Sequence, residues 1–437
     1  MAKTISLKNG LRTVLFWSII SAAFIGPGTV TTASKAGANF QVDILWALVF
    51  SILATIILQE AAARITIASD KNLGEIIAIK YGKERSQWIK WLLFFSILIG
   101  CAAYQAGNIL GAIAGLDLFL PNISKSLFTV FLGLICAAFL WIGNFRIIAN
   151  LLGVVVALMG IAFLAVAFNS DIGGTEIVGN AFIPQIPEGS LLLIIGLIGT
   201  TIVPYNLFLA SGISKGQSIF EMRLGITLAV IIGGIISIAI MIAGTNVVGE
   251  FSFQSLADSM SAELGINAPL LLGFGLFAAG ISSSITSPLA AAVTGKSLIG
   301  KEHEKWDTQG SSFRWTWGMV LLIGIFFGIF QSTLGFKPVG IIILAQAVNG
   351  ILLPLITAFL LLVVNDERLL GEFTNSAFSN ILMLLIVGIS CFLGINNVFK
   401  AIIRALEWSD VSDLFILKMV LTLVIVSFLA YLIFKKR

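Results

Sequence analysis

The chain has 437 residues, 58% of them hydrophobic and only 11% charged, with a mean hydropathy of +1.04. Soluble domains carry about 25% charged residues, so this composition excludes a water-soluble globular protein and places the chain in lipid. The net charge of +4 says little by itself, and no nucleic-acid partner is expected; in a bilayer the distribution of Lys and Arg carries the information.

Taken in order, apolar stretches of roughly 17 or more residues, enough to cross about 30 Å of hydrocarbon, lie near 14–38, 43–63, 91–116, 126–143 and 147–168. Others follow near 190–213, 224–248, 268–299, 315–334, 338–364, 377–396 and 412–434, giving twelve predicted spans. The first run continues through residues 26–29 without a small-residue cleavage site, so it is not expected to be a removable signal peptide. With the N-terminus in the cytoplasm, 20 of the 26 Lys and Arg fall on the inner side, against Lys125, Lys337, Lys400 and Arg404 outside. This asymmetry predicts cytoplasmic termini, and the short loops suggest a bacterial inner membrane. Cys101, Cys136 and Cys391 all fall inside apolar runs and read as free thiols. With no P-loop and no room for a soluble domain, neither an ATP-driven pump nor an enzyme is expected, and no cofactor is implied.

Two spans are interrupted. Gly26-Pro27-Gly28-Thr29 breaks the first and Val203-Pro204-Tyr205-Asn206 breaks the sixth. Glycine and proline disrupt helices and leave backbone groups unpaired, which the bilayer tolerates only where they are buried in protein or line a polar cavity. Paired breaks in corresponding positions of two halves mark the binding site of a transporter. They expose half-helix dipoles and free carbonyls suited to an ion or charged solute.

The segment GPGTVTTASKAGANFQVDILWALVFS, followed by Gln59-Glu60-Ala61-Ala62-Ala63-Arg64, resembles the opening of the Nramp family of proton-coupled divalent-metal transporters. GTTIVPYNLFLAS resembles that family's sixth-span motif, AAGISSSITSPLAAAVTG its eighth and ILAQAVNGILLPLI its tenth. The resemblance implies an all-helical LeuT-type fold with inverted repeats near 14–168 and 190–364, followed by two further spans near 377–434. It also implies alternating access around a central site.

The departures matter as much. The family's metal ligands are the Asp and Asn of the first break, a sixth-span Met and a nearby carbonyl. The matching positions here are Gly26, Thr29, Val203 and Thr200. Divalent cations favour carboxylate oxygens, and soft metals gain from thioether sulfur. Only Thr29 and Thr200 remain as candidate metal-contacting oxygens. The family's third-span acids match Gln105 and Asn108, and its sixth-span His matches Tyr205, none of which titrates near neutral pH.

The predicted substrate set is therefore Gly26, Pro27, Gly28, Thr29, Thr200, Val203, Pro204, Tyr205, Asn206 and Gln346. Gln105, Asn108, Ser283, Ser284 and Thr286 are candidates for a polar or coupling-ion pathway, with Na+ or H+ as the ion; hydroxyls of this kind also serve as interhelical packing. Lys35 either snorkels outward or adds positive potential near the site. Glu60 and Arg64, one turn apart, pair with each other or belong to an inner gate. Asn349 lines a cavity or bonds between helices. The loop carrying Asp70, Lys71, Glu75, Lys80, Lys83, Glu84 and Arg85 reads as a solvated connection, as does the segment around His303. The substrate is a small ion or small solute: a divalent metal held by carbonyls, Thr29 and retained water, with Mg2+ suited best, or a non-metal organic anion or amino acid. A transport-inactive sensor on the same scaffold is a third reading.

Overall fold

The computed structural model describes residues 25–81, 86–143, 146–265, 267–300, 304–331, 333–405 and 414–435. The predicted start of the first span at 14–24, the basic residues Lys3, Lys8, Arg12, Lys83, Arg85, Lys301, Lys436 and Arg437, and Glu84 and His303 lie outside the described residues.

Every regular element described is helical. The first span appears as the half-helix Pro27–Phe40, and the sixth as two halves, Leu191–Thr201 and Pro204–Ile213. The other spans are Leu45–Ser69, Gln87–Asp117, Lys125–Ile142, Arg146–Phe168, Ile219–Thr245, Ala268–Leu298, Ser311–Phe330, Pro338–Val364, Ala377–Ala405 and Phe415–Phe434. Eleven described segments are long and apolar enough to cross a membrane, and the half-helix of the first span accompanies them. The third span packs along the eighth, ninth and tenth, the tenth covers the Leu191–Thr201 half of the sixth, and the first lies against the seventh. Both breaks thus sit inside the bundle. In the sixth span 94% of the apolar window is buried, against 17% in the twelfth, which faces lipid.

Several boundaries differ from expectation for identifiable reasons. The seventh span starts at Ile219 and not near 224, because Ser218 and Glu221 form a reciprocal capping box. The second span continues to Ser69 and not only to about 63, so Arg64 lies well inside the helix, 6% exposed. The connections near 169–189 and 249–267 hold the helices Gly174–Phe182 and Phe253–Leu264. The loop after the second span is not simply solvated. It contains the helix Leu73–Lys80, started by an Asn72–Glu75 capping box, with Leu73, Ile76 and Ile77 buried. Lys80 donates to the Leu362 carbonyl at 2.9 Å and pairs with Asp366 at 2.6 Å, tying this helix to the C-terminal end of the tenth span.

Candidate functional site

Both breaks follow from backbone chemistry. Gly26 is extended (φ −91°, ψ 174°) and caps the half-helix that begins at Pro27. Proline suits a first helical position because its missing N–H has no intrahelical partner there anyway. In the sixth span Ile202 and Val203 leave helical geometry before Pro204 restarts it. Because Pro204 has no N–H, the Thr200 carbonyl four residues earlier loses its helical partner. The neighbouring carbonyls are engaged: Tyr104 donates its hydroxyl to Gly199 C=O, and Thr55 donates to Thr201 C=O at 3.3 Å. The Thr200 carbonyl is thus one of the backbone oxygens that the break releases from the helical pattern.

The two breaks meet directly. Thr29 and Thr200 share a hydroxyl–hydroxyl hydrogen bond of 2.9 Å across 171 residues of chain. Around it lies a cavity of about 10 Å³ lined by Gly26, Gly28, Thr29, Tyr104, Asn108, Thr200, Tyr205 and Ser283. That is about the volume one water requires, so this conformation admits nothing larger. None of these lining residues is an acid, a histidine or a cysteine. Among the described residues there is no group of three or more His, Cys, Asp or Glu able to hold a metal.

What the site offers is neutral hydrogen bonding. Gln346 is fully buried, and neither its amide nitrogen nor its oxygen has a partner. It lies over the first break, where a Cβ on Gly28 would come within 2.2 Å of its Nε2; only glycine permits that approach. Asn108 Nδ2 is likewise buried and unpartnered. Leaving such groups unmade costs roughly 1–3 kcal/mol each, which is tolerated where a ligand or water completes them. Tyr104 and Tyr205 meet edge to face, with ring centroids 5.8 Å apart, and close one wall.

The predicted set divides. Gly26, Gly28, Thr29, Asn108, Thr200, Tyr205 and Ser283 come together at the cavity, with Gln346 behind Gly28. Pro27, Val203, Pro204 and Asn206 shape the breaks but do not line the cavity. Gln105 bonds to the Ser284 carbonyl at 3.2 Å, so this pair belongs to the interface of the third and eighth spans. The Thr286 hydroxyl turns back onto the carbonyls of Ser282 and Ser283, which is intrahelical bonding and not part of the cavity. Asn349 bridges to Gly100 C=O at 3.1 Å, an interhelical bond. Lys35 is half-buried, 5.6 Å from the Phe251 ring centre, and does not reach the cavity. Tyr104 is the lining residue that the sequence reading missed. Its position one turn before Asn108, in a chain with four tyrosines, was the available signal.

Beneath the site is a charged clamp. Arg64 reaches Glu60 at 3.2 Å, donates to Asn375 Oδ1 at 2.6 Å and bonds the Phe373 carbonyl. Arg223 from the seventh span meets the same Glu60 at 2.8 Å. The pair expected from the sequence is present and extends to two further elements.

This architecture has known counterparts. The fold matches the Eremococcus coleocola manganese transporter with a TM-score of 0.74 at 19% identity, covering 99% of this chain and 96% of that one. A Na+-coupled sialic acid symporter shares it more distantly, with a TM-score of 0.52 at 16% identity over 86% and 88% of the two chains. Together they establish an all-helical LeuT-type fold. In sequence, the chain is similar to the divalent metal cation transporter MntH of Verminephrobacter eiseniae, 23% identical over 381 residues and 82% of each protein. It is also 26% identical over 407 residues to MntH of Staphylococcus haemolyticus, covering 86% of this chain and 89% of the relative. The model of the natural resistance-associated macrophage protein-like family matches residues 18–400, and the chain belongs to this family of membrane transporters.

Proposed function

We propose that the protein is a secondary-active transporter, not an enzyme, working by alternating access, and that its cargo is a divalent cation carried with part of its water shell. The observation that carries this reading is the neutral junction of the two breaks, where the Thr29 and Thr200 hydroxyls meet at 2.9 Å beside a Thr200 carbonyl whose helical partner is replaced by Pro204. A bare divalent ion without a counter-charge is expensive at membrane depth. A cation that keeps several waters presents O–H donors, which hydroxyl, amide and carbonyl oxygens accept; Mg2+ dehydrates most reluctantly and suits such a site best. The divalent-metal names of the relatives support a cation as cargo.

The substrate set is Gly26, Gly28, Thr29, Thr200, Tyr205 and Gln346, to which Tyr104 and Asn108 are added. Repeats near 14–168 and 190–364, with 377–434 appended, rock around it, and both termini lie in the cytoplasm of a bacterial inner membrane. Na+ and H+ are the candidate coupling ions.

A second reading has its own support. The unpartnered Asn108 Nδ2 and Gln346 Nε2 are donors, and they match the acceptor oxygens of an organic anion or amino acid better than a water shell. Uptake into proteoliposomes separates the two. Saturable Mg2+ uptake, lowered by Thr29→Ala, is expected on the first reading. Uptake of an organic solute with none of Mg2+, Mn2+ or Ca2+ would replace it with the second.

A further inference from the structure

A second, open cleft shares no lining residue with the cavity at the breaks and lies where the end of the fourth span meets the start of the ninth. Its volume is about 400 Å³, and it is lined by Trp141, Gln309, Ser311, Arg314, Trp315 and Trp317. Small-molecule sites begin at about 300 Å³. The Arg314 guanidinium stacks on Trp141, with Cζ 3.8 Å from the ring centre. Stacking fixes the plane of the guanidinium while leaving its edge N–H donors available, the arrangement used for phosphate recognition. Among the described residues Arg314 has no carboxylate partner, and the cavity lining contains no acid.

Position and surroundings select the occupant. Trp141 and Trp315 are 61% and 69% exposed, as expected of aromatic residues in the belt where hydrocarbon gives way to headgroups. The lipid-facing flanks of the same two spans run away from the cavity as an apolar surface, with Leu134, Met319 and Leu322 half or more exposed. A ligand with a phosphate at one end and acyl chains at the other fits both parts. On the orientation proposed above the cavity opens at the cytoplasmic leaflet, where anionic lipids engage basic pockets between helices. We propose that the Arg314–Trp141 pocket is a binding site for the headgroup of an anionic phospholipid.

Native mass spectrometry of the full-length protein, released from micelles supplied with phosphatidylglycerol or phosphatidylcholine, tests this. Wild-type protein is expected to retain one phosphatidylglycerol more than phosphatidylcholine. Arg314→Gln should lower that retained fraction several-fold, and Arg314→Lys, which keeps the charge but loses the stack, should lower it less. Arg223→Gln, which removes a cytoplasmic charge already paired with Glu60, should leave it unchanged. Thermal melting confirms that each variant is folded; a failure of Arg314→Gln to fold passes the decision to Arg314→Lys against wild type. Equal retention of the two lipids, retention unaffected by Arg314→Gln and Arg314→Lys, or displacement of the lipid by inorganic phosphate would overturn the proposal. The last result would assign the pocket to a soluble anion.

Discussion

The junction of the two breaks and the clamp beneath it are built from opposite materials. At the junction, hydroxyls and amides meet with no formal charge, and several polar atoms are unpartnered. At the clamp, Glu60 is shared by two arginines, and Arg64 also satisfies Asn375 and the Phe373 carbonyl. Unmade hydrogen bonds cost stability, whereas a buried charge is retained only when its partners are complete. The clamp therefore belongs to the machinery that holds helices together, and the junction to the part that waits for something to arrive. The proposed site is lined without formal charge, whereas the clamp is assembled from Glu60, Arg64 and Arg223.

The comparison breaks most visibly at Arg64. Arg64→Met leaves Glu60 with Arg223 and removes the donors to Asn375 Oδ1 and the Phe373 carbonyl, several bonds of a partly buried cluster worth together roughly 1–3 kcal/mol. A large fall in melting temperature in detergent is expected, together with loss of uptake. If the melting temperature holds while uptake is lost, the clamp is a gate and not a structural tie.

Next in size is the conversion of the junction to a charged site. Gly26→Asp, Thr29→Asn and Val203→Met together should raise Mn2+ affinity about tenfold or more, an effect of roughly 1.4 kcal/mol, measured by calorimetry. The backbone permits it: a Cβ on Gly26 would stand at an ordinary 3.4 Å from Ser283 Oγ. No gain in Mn2+ affinity would show that Val203, which is buried but does not line the cavity, points its side chain away from the cation.

Thr29→Ala removes the bridge to Thr200. A net hydrogen bond is worth about 1 kcal/mol, so uptake should fall about fivefold with little change in melting temperature. Unchanged uptake would remove Thr29 from the site. Smallest of all is Lys80→Ala. It deletes the tie to Asp366, and a partly exposed pair of this kind contributes about 1 kcal/mol or less; a shift of a few degrees in melting temperature and normal uptake are expected.

The fold was legible because hydropathy and Gly/Pro interruptions are local signals with physical causes. The breaks at Pro27 and Pro204 could be read directly, whereas Gln346 was set apart from other buried amides such as Asn349 only by its match to a site position of the resembled family. What stayed hidden depends on chain-distant partners. The Thr29–Thr200 bond spans 171 residues, and the Arg64–Asn375 bond spans 311. Tyr104 escaped notice because an aromatic within an apolar helix reads as core until a neighbouring break gives it a carbonyl to meet. The helix Leu73–Lys80 was obscured by its charges, although the Asn72-x-x-Glu75 pattern was available as a start signal.

The most direct test of the neutral junction is calorimetric titration of the purified protein with Mg2+, Mn2+ and Ca2+, paired with uptake of the same ions into proteoliposomes. Saturable Mg2+ binding and uptake are expected, with Mn2+ bound no more tightly, because no carboxylate or thioether lines the cavity to favour it. Silence for all three ions in folded protein, or a strong preference for Mn2+, would contradict this expectation.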